Sequence, residues 1–357
     1  MSIGVAIVGG GIFAREEHLP AVEASTNLTL KAVYSRSLKS AQSLATDSTK
    51  VDLYSNDSGA GKSYEDLLKR EDVHAVIIVL PINTQPSFIR AALQAGKHVI
   101  SEKPVAGTIS EAEKLTQWYH SNIDSSKATW AVAENYRFLN SITHGSEIAS
   151  GLGRLLNFGV KMQNLVQGGK YFETEWRKVP EYQGGFVLDG GVHFIAVLRQ
   201  ILGGEKIEYV SAFTRQNQDH LPPLDTVDAC VRTKNGATGT ISISFGTTLK
   251  DNGYTAAFEH GSLSLSSNKA TKTTTGKTPV RSMKVVVTKG DTVDEKDIED
   301  EGSGVKPEIR TWAESIVNGK QDPRQSPEQA LADLEILEAI FRSGEQNGAP
   351  QQLRFQI

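Results

Sequence analysis

Apolar and polar positions alternate on two different rhythms along this chain. From residue 3 to about residue 134, short apolar runs rich in β-branched residues are followed by stretches whose apolar positions recur at helical spacing. The runs at 3–8, 29–35, 75–80, 98–101 and 129–133 read as strands that are apolar on both faces, as a parallel sheet covered by helices on each side requires. Helix starts are predicted at Ser110, with Glu113 completing a capping box, and at Ser63 with Asp66. After Tyr136 the rhythm changes to longer alternating segments such as 227–232, 237–245 and 255–259, separated by Gly, Asn and Asp turns. These predict one extended, mostly antiparallel sheet. Apolar residues are expected on both alternations, Ile241 and Ile243 against Ser242 and Phe245, so a second subunit is expected to cover the open face: a homo-oligomer, provisionally a dimer.

The polar stretch 268–277 and the acidic stretch 291–304 are expected to be solvated hairpin tips or loops. Ser326, Pro327 and Glu328 start a last helix whose apolar stripe runs through Leu331, Leu334, Leu337 and Phe341 and predicts packing against the first domain or the sheet. The domain expectation is therefore 1–135, binding a dinucleotide, and 136–357, binding substrate and forming the oligomer.

Composition narrows the classes. With 357 residues, 38 basic and 42 acidic side chains and a net charge of −4, nothing in the balance suggests a continuous positive surface, and no nucleic-acid partner is expected. The longest apolar run is too short to span a bilayer, and no secretory pattern precedes the first strand, so a cytoplasmic protein is expected. The lone Cys230 is expected to be a buried apolar residue.

Candidate chemistry begins at Gly9-Gly10-Gly11-Ile12-Phe13-Ala14, a G-x-G-x-x-A turn that follows the first strand and opens a helix. Gly9 permits the turn, Gly11 lets the backbone approach a pyrophosphate, and the free N–H groups of the helix start face the anion. The plainer alternative is a glycine turn kept for packing. At the end of the second strand, where a carboxylate would bind the ribose of NAD, stand Ser35 and Arg36. A hydroxyl and a guanidinium suit the 2′-phosphate of NADP(H) better than NAD(H); the alternative is an exposed cation. Gly59-Ala60-Gly61-Lys62-Ser63 imitates a P-loop tail but lacks its first glycine and reads as a turn and helix cap.

Lys103, in Glu102-Lys103-Pro104, lies just past a strand end on the ligand side of such a sheet, where an ammonium can hold a substrate oxygen; a salt bridge to Glu102 is the bland reading. Asp189 and His193, four apart on a predicted helix, form a carboxylate–imidazole pair suited to proton exchange or, more plainly, to capping and packing. No cluster has metal-ligand spacing.

Together with Glu134-Asn135-Tyr136-Arg137, Trp176-Arg177 and the patch at 184–193, these motifs resemble the Gfo/Idh/MocA oxidoreductases from end to end. The Gly11–Arg15 and His18-Leu19-Pro20 segments and the Asp189–His193 patch look most like a fungal NADP(H)-dependent branch. The resemblance implies an α/β protein: a Rossmann domain, then an α+β domain with a large open sheet, and a site in the cleft between them. It implies catalytic roles for Lys103, Asp189 and His193. The dinucleotide would be bound by Gly9, Gly11, Ile12, Phe13, Ser35, Arg36, Leu80, Pro81, Asn83, Gln85, Glu102, Lys103, Trp176 and Arg177. Gln85 stands where the family usually has a histidine, and Ala196 where an aspartate often follows the catalytic histidine; these departures bear on a sugar-type substrate more than on hydride transfer. The function expected is interconversion of an alcohol and a carbonyl on a small polyhydroxylated or cyclic substrate. The alternative is a dinucleotide-binding sensor, since the family also contains a galactose-pathway repressor.

Overall fold

The computed structural model describes residues 2–45, 51–267 and 281–357, and the stretch 268–277 lies outside the described residues. The chain divides into two compact units, residues 1–134 with 305–330, and residues 135–304 with 331–357.

The first unit alternates strand and helix: β1 (Ile3–Val8), α1 (Leu19–Ala24), β2 (Leu28–Ser35), α2 (Leu38–Gln42), β3 (Asp52–Ser55), α3 (Tyr64–Leu68), β4 (Ala75–Ile78), α4 (Gln85–Gln94), β5 (His98–Glu102), α5 (Ile109–Asn122) and β6 (Trp130–Ala133). The six strands are parallel in the order β3-β2-β1-β4-β5-β6, so the winding reverses between β1 and β4. At such a reversal the loops leaving neighbouring strands diverge and open a crevice at their carboxyl ends. Every residue of β1, β4 and β6 is buried, as expected for strands covered on both faces. The short β3 was not anticipated: four residues, half of them polar, carry no apolar run. Ser63 and Asp66 form the full capping box. The box expected at Ser110 is replaced by Thr108, whose hydroxyl accepts the Glu111 N–H, because Thr108 is extended while Ser110 is already helical. Gly59 and Gly61 occupy left-handed turns just before that Ser63 cap.

The second unit contains α6 (Asn140–Ser150), β7 (Leu155–Leu165), α7 (Glu175–Lys178), α8 (Gly185–Ile201), β8 (Ile207–Arg215), β9 (Thr226–Thr233), β10 (Thr238–Ser244), β11 (Gly246–Phe258), β12 (Gly261–Ser267), β13 (Ser282–Lys289) and β14 (Thr292–Glu299). After α9 (Val305–Asn318) and α10 (Pro327–Glu345), β15 (Gln351–Gln352) closes the chain. The nine-stranded sheet, β14-β13-β12-β11-β7-β10-β9-β8-β15, is antiparallel except for the parallel pair β7–β10. Helices α6 and α8 pack on one face.

Four expectations are corrected here. Residues 305–330 belong to the first unit, since Val305, Ile309, Trp312 and Ala313 of α9 enter the core around β1 and α1; the stretch 136–357 is therefore not one continuous domain. Ile241, Ile243 and Phe245 do not oppose one another. The two isoleucines share a parity and are buried, Phe245 packs its ring on Phe186 and Phe194 of α8, and the other parity carries Thr238, Thr240 and Ser242. Cys230 is exposed, because in β9 the odd neighbours Ala229 and Val231 alternate inward and Cys230 with Asp228 outward. The acidic segment after Asp291 is strand β14, not a loop; it forms a sheet edge whose charges oppose pairing with another chain, and Lys284 Nζ lies 2.9 Å from Glu295. Among the described residues no helix is long and apolar enough to cross a membrane.

Candidate active site

In the first unit the site starts where β1 ends. Gly9 has φ +121°, and a Cβ there would sit 2.1 Å from the Val79 carbonyl oxygen; a Cβ on Gly10 would meet Ser40 Oγ at 2.3 Å. Both glycines are demanded by the chain itself. Gly11 is different: nothing lies within 4 Å of its Cβ position, and the residue is exposed. The alternative of a turn kept only for packing thus explains Gly9 and Gly10 but not Gly11, where the open side leaves room for close approach by a ligand.

Ile12 and Phe13, both part-buried, open the helix, which passes through a π-helical turn at Ala14–His18 before α1. That turn carries His18 into the interior, fully buried, with its Nε2 2.6 Å from Glu102 Oε1 and its ring edge-on to Phe13. Glu102 therefore engages His18, and Lys103 follows it at the carboxyl edge of β5. The exit from β4 runs through Leu80 and Pro81, both part-buried, and exposed Asn83 to Gln85, the first residue of α4. Gln85 is 1% exposed, and neither its amide nitrogen nor its amide oxygen has a partner among the described residues. An unpartnered buried amide costs roughly 1–3 kcal/mol, so a ligand that satisfies it recovers that cost. The open flank of Gly11 and the orphan amide of Gln85, either side of the reversal between β1 and β4, fit a dinucleotide at this edge.

Ser35 is buried at the end of β2, Arg36 is exposed, and Ser37 caps α2 by accepting the Ser40 N–H. One residue here escaped the sequence reading. Asp57 accepts the Leu38 N–H at 2.7 Å and the Ser55 hydroxyl at 2.6 Å. Those two hydrogen bonds hold its carboxyl below the ordinary range. It lies more than twenty residues beyond the β2 end, after a strand that was itself not foreseen.

In the second unit, Gly184 precedes α8 as its N-cap; its φ of +69° and the Phe341 ring, which a Cβ would strike at 2.2 Å, each require glycine there. Helix α8 presents Asp189 and His193 one turn apart. Asp189 is buried and accepts Arg177 Nε at 2.7 Å, while the Arg177 guanidinium stacks on Trp176 at 4.0 Å. Trp176, Arg177 and Asp189 are thus one cluster. Beside them Tyr182, also missed, has a buried hydroxyl with no partner among the described residues; burial, then the Asp189 charge, hold its phenol above the ordinary range. His193 stacks on Tyr136 with ring centroids 4.3 Å apart and 16° between planes. Among the described residues no group of His, Cys, Asp and Glu side chains could hold a metal ion.

Residues 3–122 match the family profile described as "Oxidoreductase family, NAD-binding Rossmann fold", and residues 146–353 match its C-terminal α/β domain. The chain belongs to the Gfo/Idh/MocA oxidoreductase family. Relatives of this family cover it end to end. It is 41% identical to a Fusarium mangiferae protein named Dehydrogenase FPY6, over 99% of this chain and 100% of that one. The crystal structure of an oxidoreductase from Thermotoga maritima superposes with a TM-score of 0.82 at 28% identity, covering 99% and 98% of the two chains. A 3-ketoreductase from Actinomadura kijaniata, solved in complex with NADP, shares the Gfo/Idh/MocA fold at a TM-score of 0.72 and 21% identity, covering 96% and 98%. The Rossmann domain and the oxidoreductase class of this chain follow from these matches.

Proposed function

We propose that the protein is an NADP(H)-dependent oxidoreductase that interconverts an alcohol and a carbonyl on a small, polyhydroxylated or cyclic substrate. The observation that carries this reading is the buried, partnerless amide of Gln85 at the strand-order reversal, beside the glycine turn. When bound, the dinucleotide supplies or accepts a hydride. Gly11 and the helix start behind it receive the pyrophosphate, and Gln85 hydrogen-bonds the ligand's polar groups. Glu102 and His18 brace the chain from which Lys103 extends its ammonium to the substrate oxygen, stabilising the charge that builds there. His193, held flat against Tyr136, exchanges the proton with that oxygen, and Arg177 fixes the Asp189 carboxylate one turn before it.

Arg36, with Ser35 and Ser37, is assigned to the 2′-phosphate of NADP(H). A second reading, preference for NAD(H), is favoured by one observation: Asp57 occupies the first N–H of α2 and would repel a phosphate. Fluorescence titration with both reduced dinucleotides separates them. NADPH binding tighter than NADH, with Arg36→Ala lowering NADPH affinity about tenfold or more, supports the first; NADH binding tighter, with Asp57→Asn reversing the order, establishes the second. Turnover is tested by NADPH oxidation across aldehydes, ketones and keto sugars. Lys103→Met is expected to lose about a hundredfold or more in turnover while dinucleotide affinity changes little. Tight dinucleotide binding without turnover on any carbonyl would turn the assignment toward a sensor.

We further propose a homodimer in which a second copy covers the Thr- and Ser-rich face of the nine-stranded sheet. Its residues Thr238, Thr240 and Cys230 are exposed in the single chain.

A further inference from the structure

The second unit encloses a cavity of about 180 Å³ between α6, α8 and the sheet. Its walls are mostly apolar, from Ile142, Met162, Phe194, Val197 and Met283 among others, with a few polar groups converging on it. Arg281 is the one cationic side chain in this lining. Its guanidinium lies 4.5 Å from the centroid of the Tyr136 ring, the ring on which His193 stacks. Asn164 and Asn252 face the same space and pair with each other at 3.3–3.4 Å. The nearest carboxylate, Asp300, is 4.0 Å from Arg281 Nε, outside hydrogen-bond distance, and already accepts the Ser141 N–H and hydroxyl.

The Arg281 side chain is 37% exposed and its ion pair with Asp300 is long, and its planar fork matches a carboxylate. The volume is below the ~300–1,000 Å³ of sites that enclose a whole drug-sized ligand, so the cavity takes one end of a substrate. We propose that this end is a carboxylate, bound by Arg281 with the Asn164–Asn252 pair alongside. The substrate class is then a small hydroxy or oxo acid, such as a sugar acid. This inference rests on the oxidoreductase reading above and narrows it.

The test is calorimetric titration of the full chain with isobutyrate, its neutral isostere isobutyramide, and inorganic phosphate. Isobutyrate is expected to bind at least tenfold more tightly than the amide, Arg281→Met to remove that difference, and Arg281→Lys to retain part of it. The comparison of the three ligands on the unaltered protein needs no variant, so it stands even if Arg281→Met unfolds. Equal binding of acid and amide, no binding of either, or undiminished acid binding by a folded Arg281→Met protein overturns the proposal. Phosphate binding tighter than isobutyrate replaces the carboxylate by a phosphoryl group and overturns it as stated. NADPH titration of the same samples reports separately on the oxidoreductase reading, so the two can fail independently.

Discussion

The two sheets handle the same apolar residue types in opposite ways. In β4 of the parallel sheet, the consecutive residues Ile77 and Ile78 are both fully buried, one on each face. In β10 of the larger sheet, Ile241 and Ile243 are buried while Thr240, the residue just before Ile241, stays exposed. Helices cover both faces in the first case and one face in the second. The covered sheet therefore shows its chemistry only at its carboxyl edge, where Gly11, Gln85 and Lys103 emerge. The half-covered sheet builds a cavity on its helix side and leaves its other side as a surface.

The sharpest way to break this contrast is to truncate neighbours in each strand. Ile77→Ala and Ile78→Ala should each cost about 2–5 kcal/mol in chemical denaturation, and Ile241→Ala a similar amount. In the dissociated chain, where Thr240 is exposed, Thr240→Ala should cost no more than about 0.5 kcal/mol. Thr240→Lys is expected to sediment as monomer because the proposed second copy sits on this face; a Thr240→Lys protein that sediments like the unaltered one would remove that cover.

Next in size come the glycines. Gly9→Ala should lose about 3 kcal/mol, since backbone at 2.1 Å and a positive φ both oppose it. Gly190→Ala on α8 should lose about 1 kcal/mol or less, because the obstacle at 2.9 Å is the tip of the Phe245 side chain and alanine favours the helix. Gly11→Ala should leave the denaturation midpoint unchanged and weaken NADPH binding, as read by titration. A stability loss at Gly11 would show that its open flank serves the fold and not a ligand.

The smallest effect expected is a pH response confined to the covered sheet. Burial, then the nearby His74, push His98 below its ordinary value of 6.5, and its Nδ1 accepts the Thr129 N–H. The unfolded chain therefore takes up a proton below pH 6.5 that the folded chain refuses. Stability is full above that pH and falls as pH drops toward the depressed folded value, by at most about 1.4 kcal/mol per unit. Denaturation midpoints of His98→Asn across this range should be flatter than those of the unaltered protein; parallel curves would remove the assignment.

Much of the first unit was legible because its signals are local. An apolar run, a glycine turn and a cap within a few residues identify a strand-to-helix junction, and Gly9 to Ala14 is read that way at once. β3 escaped because its burial comes from lying beside β2 and not from its own residues. Ser110 was mistaken for a cap because Thr108 and Ser110 are equivalent in type and differ only in backbone angle. In the second unit Cys230 and Phe245 were misplaced for one reason: which parity of a strand faces inward is decided by where α6 and α8 pack.

The sequence by itself determined the alternation of strand and helix, the nucleotide turn, the residue types at the candidate site and, through its motifs, the family. Only the tertiary structure decided that α9 returns to the first unit, that His18 reaches Glu102 across 84 positions of the chain, that Arg177 takes Asp189, and that Arg281 faces a cavity beside Tyr136. The physical reason is range. Propensity, capping and periodicity act over a few residues and are written locally, whereas burial, charge pairing and cavity shape depend on which distant segments meet, and packing settles that only when the whole chain is in place.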